Sequence, residues 1–574
     1  MAATARPQVE LKSSFYDSDK SLLATPIFSE RKITVFDQSS ATGFALAHPK
    51  VSDWVARFPE RDLVVRANFL SDQRQWEVKV WAGESAGQIA LVRVRDGTGD
   101  VLEAWTGPQV NWVMARGNKD SPGRDINDPE IWFGFVALFL LGLIDYRRLR
   151  SIRNVDLCVL VSFSASFWFF NQGEIFTSVA LSYPPLIYLF LRMLWLSRYR
   201  NSERTVKSII WPTWFLVGLT VLALGFRVGL NLESPHVIDV GYASVIGAQR
   251  IVTEGRIPYG NFPKPGSEEC GVSSLPGGGR DYIQFNGRCE TSNEQGDTYG
   301  PVAYLAYIPG YLAFGWSGKW DSLPAAHVTA LVVDLLVVMG LVLVGWRYGR
   351  ARLAAILAFA WVAFPFTQYV LSMNSNDALI SAFLILGFWL AASSSARGFF
   401  LSFAAWAKFA PLVLAPLWLC YPRAFSLSRF GQRALFLVGF LLGSSVAFWI
   451  LLLEGDIGGA IHTFWDRTLG WQLGRSSPFS VWGWERYNYW DMSIFQRILQ
   501  ALVVIGALAT AFIPKRRSPV TLAALTAALI IGVELAMNHW FYLYIVWFFP
   551  FVLFTFFINE RCIGKESIHL SKYG

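Results

Sequence analysis

The stretch AAHVTALVVDLLVVMGLVLVGW, residues 325–346, decides the fold class of this chain. A helix of about 20 mainly apolar residues is long enough to cross the hydrocarbon core of a bilayer. Further apolar runs occupy residues 131–146, 155–171, 175–196, 208–230, 352–370, 377–394, 434–453, 494–513, 519–537 and 540–558. The sequence therefore predicts an all-α polytopic membrane protein with about 11–13 transmembrane segments.

The composition is also that of a protein dissolved mainly in lipid. The chain has 574 residues, of which 53% are hydrophobic and only 16% are charged. One soluble core could not bury so much apolar surface. The formal net charge of +8 comes mostly from short basic clusters beside the apolar runs, such as Tyr146–Arg153. Such clusters orient membrane proteins, so the charge does not indicate a nucleic acid partner.

The first part of the chain, residues 1–128, has no apolar run long enough to span a bilayer. Residues 74–81 and 88–95 alternate with period two, which predicts strands, and a third short strand is predicted over 101–105. A helix is expected near 51–58. This pattern predicts a small α+β domain and resembles a PepSY domain, for which a docking or lid role without chemistry is the simplest interpretation.

The remaining chain divides into a three-span extension, residues 129–207, and a membrane core, residues 208–574. Two stretches of the core differ from simple spans. Residues 299–316 contain an internal Pro-Gly pair, and residues 398–421 carry Lys408 followed by two prolines. Irregular backbone at membrane depth needs protein or a water-filled cavity around it. We therefore predict that both stretches are broken or re-entrant and that they border a cavity.

The positions of the basic clusters predict the side of the membrane on which each polar element lies. If the clusters are cytoplasmic, the main polar elements share the extracytoplasmic face, and so does the N-terminal domain. These elements are the loop 231–298 with Asp239, the junction 373–377, Lys408, the loop 454–493, and Asn538–His539. Polar groups gathered in this way predict a single extracytoplasmic site in the cell membrane.

The location limits the chemistry of such a site. Nucleotide-activated donors are cytoplasmic, so group transfer outside needs a donor that is already activated and carried by a lipid. A lipid-linked sugar phosphate meets both conditions. The reaction then requires a carboxylate that takes a proton from the acceptor hydroxyl, and cations that stabilise the departing phosphate.

Several short motifs follow one another in an order that resembles a known family. They are Asp239, Gly255-Arg-Ile-Pro-Tyr259, Thr298-Tyr-Gly-Pro301, Asn374–Asp377 opening a span, and the segment from Gly398 to Lys408 and Pro411. Their order resembles the GT-C membrane glycosyltransferases, and most closely the polyprenol-phosphate-mannose-dependent enzymes of glycosyltransferase family 87. The resemblance covers about residues 208–560. The chain departs from the family pattern where Tyr299-Gly-Pro301 replaces Tyr-Pro-Pro and where a polar insertion follows Pro263.

The resemblance implies that Asp239 is the general base of an inverting single displacement. One sugar, mannose or another hexose or pentose, would pass from a polyprenyl phosphate to a lipid, glycan or protein acceptor. An acid just beyond the end of a span suits this role, because partial desolvation raises its pKa and makes it a better proton acceptor. A solvated or helix-capping aspartate is the alternative interpretation.

The candidates for binding the donor phosphate are Lys408, His539 and Arg475. A lone ammonium in an apolar segment is costly unless it meets an anion, and Lys408 is therefore the leading candidate. Snorkelling of Lys408 to the interface remains an alternative. His539 lies at a turn where the glycosyltransferase family that the chain resembles carries a His or an aromatic residue near the donor. Arg475 is equally compatible with a solvated loop.

Sugar or acceptor binding is predicted for Asp297, Tyr259, Tyr299, Asn374, Asp377 and His462. Capping by Asn376 or Asp377 remains an alternative at the start of that span. Asp239 together with Asp297 or Asp281 could bind a divalent cation, but no tight carboxylate cluster occurs in the sequence. We therefore expect no metal and no other cofactor.

Two further questions stay open from the sequence. Cys270 and Cys289 share one polar loop and are candidates for a disulfide in an oxidising compartment. A transporter or flippase of lipid-linked glycans, or a ligase that moves whole glycans, is the alternative to a single-sugar transferase. A transporter should expose polar residues to both sides of the membrane, whereas the polar elements here are predicted on one side.

Overall fold

The fold is described from a computed structural model of the full chain. The described residues are 34–59, 62–71, 73–82, 87–117, 123–198, 209–234, 236–263, 295–318, 320, 322–426, 430–475, 477–487 and 489–558. The chain divides into two compact units, Met1–Val110 and Asn111–Gly574. The boundary between units thus precedes the sequence-based domain boundary at residue 128, and the segment 111–128 belongs to the membrane unit.

The first unit contains a four-stranded antiparallel meander with the order β1-β2-β3-β4. The strands are β1 (Leu63–Leu70), β2 (Gln75–Ala82), β3 (Gln88–Arg95) and β4 (Val101–Thr106), and the helices are Gln38–Ala47 and Pro49–Val55. The three predicted strands and the predicted helix are confirmed. The sequence missed β1, because LVVRANFL lacks the strict period-two alternation of a half-buried strand.

The core of this unit comes from alternate positions of the central strands. Val78 and Val80 of β2 and Val92 and Val94 of β3 are fully buried, and Val78 pairs with Val92 in the ladder. Successive side chains of a strand point to opposite faces, so these valines share one face of the sheet. Both helices add buried apolar residues to the unit.

The second unit is helical and is built from apolar helices. By length and composition, six described helices could cross a membrane: Ile152–Asn171, Ile175–Arg198, Thr213–Glu233, Pro324–Ala363, Phe430–Leu453 and Pro519–Ala536. Shorter apolar helices are Pro129–Leu143, Pro301–Phe314, Ala378–Trp389, Ala410–Leu419, Ser493–Ala509 and Tyr542–Phe557. The chain is therefore a helical membrane protein with a small α+β unit at its N-terminus.

Three interruptions follow the sequence closely. The Pro324–Ala363 helix breaks at Arg350, whose φ of 58° is non-helical, within the predicted basic connection between two spans. The 299–316 stretch is divided into Pro301–Leu305 and Ile308–Phe314. The third interruption follows the Ser394–Ala407 helix, where Lys408 has extended backbone. Both stretches that were predicted to be broken are thus broken.

Buried ion pairs join the helices of this unit. Arg227 donates to Asp334 at 2.7 Å, and Trp361 donates to the same carboxylate oxygen at 2.8 Å. In the three-span extension, Arg192 donates to Asp156 at 2.9 Å. Buried charges persist in this way only when they are paired and hydrogen-bonded. These pairs fix helix positions and leave their own charges unavailable to a substrate.

Candidate active site

Asp239 is the first residue of the Asp239–Thr253 helix, and its side chain is exposed. Its carboxylate accepts a hydrogen bond of 2.9 Å from the backbone N–H of Val240. A carboxylate in the first turn is favoured by the helix dipole and by the unpaired N–H groups there. Asp239 therefore satisfies the capping interpretation in part, as the first residue of the helix.

The start of this helix is anchored to the turn at Met373–Asn374. Ile238 N–H donates to the Met373 carbonyl at 3.0 Å. Asn374 adopts a left-handed conformation with φ of 49°, which Asn tolerates better than most residues. A Cβ on Gly241 would lie 2.3 Å from the Asn374 carbonyl oxygen, so only glycine allows this approach. The turn therefore sets the position of Asp239.

Asn374 itself is held from both ends of its amide. Asn231 donates to its Oδ1 at 2.9 Å, and its own Nδ2 donates to the His236 carbonyl. Asn231 also contacts His327 Nδ1 at 2.9 Å. Asn374 is fully buried. The structure thus gives this residue a positioning role behind Asp239, and sugar binding by Asn374 stays a prediction.

The environment of Asp239 alters its acidity. Asp239 is exposed at its surface, but the protein packed around the site still desolvates its carboxyl and raises the pKa above the usual value. The positive charges of Arg475 and, more weakly, Lys408 oppose this shift, and the hydrogen bond from Val240 opposes it as well. The net direction is upward. The structure thus brings Asp239, Arg475 and Lys408 into one electrostatic neighbourhood, as a base near a phosphate site requires.

Arg475 is the cation whose charge acts most strongly on Asp239. Its guanidinium lies 5.0 Å from the ring centroid of Trp471 and 5.7 Å from that of Trp112. Among the residues that the structure describes, it makes no side-chain hydrogen bond and no ion pair. An Arg that faces aromatic rings but lacks a carboxylate partner keeps its forked donors available for an anion.

His539 lies beside Arg475 and is held by Ser477. Ser477 Oγ lies 2.7 Å from Nδ1 of His539 and also accepts the Phe479 backbone N–H at 3.2 Å. If the Ser477 hydroxyl donates to Nδ1, the imidazole hydrogen is on Nε2; in the other tautomer Nδ1–H donates to Ser477 Oγ. Desolvation, with the charges of Arg475 and Lys408, holds the pKa of His539 well below its usual value. The lowered pKa favours the neutral imidazole, which carries one N–H donor.

The segment that follows Arg475 is tied to the end of the Pro519–Ala536 helix. Ser480 Oγ donates to the Met537 carbonyl at 3.1 Å, and Trp482 Nε1 donates to the Leu535 carbonyl at 2.9 Å. Tyr183, from the three-span extension, contacts Ser480 Oγ at 3.3 Å. The extension therefore supports the loop that carries Arg475.

Lys408 forms an ion pair with Asp377, whose side chain is fully buried. The Asp377 carboxylate also accepts hydrogen bonds from Trp547 Nε1, at 3.0 Å, and from Ser375. Asp377 occupies the N-cap position of the Ala378–Trp389 helix without a side-chain capping bond. Neither snorkelling of Lys408 nor capping by Asp377 is observed. The ion pair weakens the case for Lys408 as the leading phosphate ligand, because part of its charge is already neutralised.

Three aromatic rings surround the same ammonium. The centroids of Tyr544, Trp547 and Tyr299 lie 5.2, 5.5 and 5.7 Å from Lys408 Nζ. Tyr299 is half-buried, and the Asp239 carboxylate is the charged group that acts most strongly on its hydroxyl. Tyr299 therefore contacts Lys408 and also lies within the electrostatic influence of Asp239.

The motif around Tyr299 has a structural explanation. A Cβ on Gly300 would lie 2.1 Å from the Trp406 carbonyl oxygen, so residue 300 must be glycine for this approach. Tyr259 is buried and donates its hydroxyl to the Tyr299 carbonyl at 3.2 Å. Gly300 thus allows close packing against Trp406, and Tyr259 supports Tyr299 from behind.

Asp297 is also buried, and Arg467 pairs with both of its oxygens at 2.6 Å. The backbone N–H of Gly260 donates to Asp297 at 2.7 Å. This carboxylate therefore links two parts of the chain, Gly260 before residues 264–294 and Asp297 after them. His462 differs, since its side chain is 78% exposed and pairs with Asp466 of the same turn. The described contacts do not bring His462 to Asp239.

Three of the predicted residues lie outside the described part of the chain. Cys270, Cys289 and Asp281 fall outside the described residues. Within the described residues, no group of three or more His, Cys, Asp or Glu side chains is arranged to hold a metal ion.

Sequence reasoning missed two residues of this region. Trp112 was assigned to the N-terminal domain, and only its position just before the first span hinted at a link to the membrane core. Glu534 is fully buried; it accepts from Trp540 Nε1 at 3.0 Å, and its Oε1 has no hydrogen-bond partner among the described residues. A glutamate within an otherwise apolar helix was the available signal.

The described site therefore combines an exposed carboxylate, an unpaired guanidinium and a neutral imidazole, drawn from distant parts of the chain. Such a set can accept a proton from a hydroxyl and stabilise a developing phosphate charge nearby. Against known proteins, neither the models of protein families nor the curated proteins give a match for this chain.

Proposed function

We propose that the protein is an integral-membrane glycosyltransferase of the GT-C type. It transfers one sugar from a polyprenyl phosphate to a lipid, glycan or protein acceptor on the extracytoplasmic face. The observation that carries this proposal is that Asp239 is exposed and lies within the field of the Arg475 guanidinium, which makes no side-chain hydrogen bond or ion pair with the described residues.

The proposed step is one displacement. The acceptor hydroxyl gives its proton to the Asp239 carboxylate while its oxygen forms a bond to the anomeric carbon. The bond between that carbon and the phosphate oxygen breaks, and the polyprenyl phosphate leaves with the electron pair. Arg475, aided by the Nε2–H of His539, stabilises the charge that develops on the leaving oxygen. The sugar configuration inverts because the attack comes from the opposite side.

The test uses purified full-length protein with a panel of radiolabelled polyprenyl-phosphate sugars and a membrane extract as acceptor. Wild type should move label from the carrier, and Asp239→Asn should lower the rate by at least about 100-fold, since general base catalysis contributes about 10²–10⁴-fold. Asp53→Asn, at an exposed position of the first unit, is the matched control. Equal transfer by wild type and Asp239→Asn would contradict the proposal.

One observation favours a transporter as the second candidate. Glu534 is a fully buried carboxyl with an open oxygen in a membrane-length helix, and such groups also occur in proton and substrate pathways. Proteoliposomes separate the two functions. Movement of intact lipid-linked glycan across the membrane without sugar transfer would support transport.

A further inference from the structure

We infer that Trp112 is a positioning residue of the phosphate site and that it acts through Arg475. This inference rests on the proposed function. Its indole contacts both groups assigned to the phosphate: the Arg475 guanidinium lies 5.7 Å from the ring centroid, and the His539 ring stacks on it at 5.9 Å and 29°. Among the described residues, only Trp112 has its ring in contact with both Arg475 and His539.

The position of this indole is itself fixed by packing. Phe479 meets Trp112 edge to face at 5.2 Å and meets His539 in the same manner at 5.6 Å. Trp112, Phe479 and His539 thus form one aromatic cluster, and Arg475 lies against its indole. Trp112 is only half-buried, because it lies at the margin of the apolar core. It is therefore placed to orient a cation without enclosing it.

The chemistry of the arrangement explains why an indole is needed. The face of an indole attracts a guanidinium more strongly than the face of any other side chain, and it has no carboxylate charge that would neutralise the cation. Asp297 holds Arg467 in the opposite way, through two short charged hydrogen bonds. Arg475 is thus held in place while its N–H groups stay available to phosphate oxygens.

Trp112 lies at the very start of the membrane unit in the chain. The first unit ends at Val110, and Trp112 is the second residue of the membrane unit. The start of the membrane unit therefore contributes a residue to the proposed phosphate site.

The test is a double-mutant cycle in the full-length protein. Trp112→Ala, Trp112→Phe, Arg475→Gln and the double variant Trp112→Ala with Arg475→Gln are assayed for kcat, KM and binding of undecaprenyl phosphate. Trp214→Ala, at an indole that is 75% exposed on the Thr213–Glu233 helix, is the control. Trp112→Ala should lower kcat/KM by about 3–30-fold, from the strength of a cation–π contact, and Trp112→Phe by less.

The cycle distinguishes positioning from a general structural role. If Trp112 acts through Arg475, Trp112→Ala should have little further effect once Arg475 is glutamine, and both single variants should weaken undecaprenyl phosphate binding. Additive losses, or losses matched by Trp214→Ala, would overturn the inference. If wild type neither turns over any donor nor binds undecaprenyl phosphate, the proposed function fails, and the inference fails with it. Wild-type binding that Trp112→Ala leaves intact refutes the inference alone.

Discussion

Lys408 and Asp377 form an ion pair inside the membrane unit, at a point where the helix that precedes Lys408 has just ended. The pair brings together two residues that the sequence had assigned to separate tasks, phosphate binding and sugar binding. The Asp377 carboxylate is fully buried and accepts hydrogen bonds from two further donors. Lys408 and these donors together stabilise its negative charge. Its role in the structure is therefore to hold the broken segment against the start of the Ala378–Trp389 helix.

This pairing makes the two residues interdependent in stability. Lys408→Met leaves a buried carboxylate without its cation, and we expect a loss of about 3–5 kcal/mol in the free energy of unfolding. Adding Asp377→Asn removes the stranded charge and should restore much of that loss. Thermal unfolding of the purified variants in detergent measures both effects. A double variant no more stable than Lys408→Met would show that the pair is not the cause.

Arg475 should control the pH dependence of the reaction. Asp239 must be deprotonated to act as a base, so activity rises as the pH rises through its pKa. The Arg475 charge lowers that pKa, and its removal raises it further. We therefore expect Arg475→Gln to move the acid limb of the kcat/KM profile to higher pH and to lower the rate by about 10²–10³-fold.

The control for this profile is Arg497→Gln, at an exposed position of the Ser493–Ala509 helix. It should leave both the rate and the acid limb unchanged. If Arg475→Gln is slower but its acid limb coincides with that of wild type, the Arg475 charge does not influence the pKa of the group that titrates.

His539 should act without titrating in the working range. Its pKa lies well below the ordinary value because of desolvation and of the charges of Arg475 and Lys408. We expect His539→Gln, which keeps an N–H donor, to retain more activity than His539→Phe. Both variants should show the acid limb of wild type, which is set by Asp239. A limb near the ordinary histidine pKa that disappears in His539→Gln would show that the imidazole is protonated during the reaction.

Gly241 tests the anchor of the Asp239 helix. Gly241→Ala places a Cβ 2.3 Å from the Asn374 carbonyl oxygen, whereas Gly229→Ala meets no atom within 4 Å. Both substitutions replace a helical glycine by alanine, so helix propensity affects both alike. We expect Gly241→Ala to lower kcat about 10-fold or more by displacing Asp239, since small misplacements near the reaction centre are costly. Gly229→Ala should match wild type in the transfer assay.

The sequence predicted the parts of the structure that depend on local pattern. Apolar runs gave the helices, period-two alternation gave β2 and β3, and prolines beside Lys408 gave the broken segment. Partner choice was not predictable, because the Lys408–Asp377 and Arg467–Asp297 pairs depend on how distant elements pack. Trp112 was missed for the same reason, since an aromatic residue before a span usually lies at the membrane interface.

The hydrogen bond between Ile238 and Met373 determines which part of the protein carries the proposed base. Asp239 is fastened to the turn that precedes the Ala378–Trp389 helix, more directly than to the long helix that comes before it in the chain. The Asp377 end of the Lys408 pair belongs to that turn as well. A displacement of this turn would therefore move the carboxylates of Asp239 and Asp377 together.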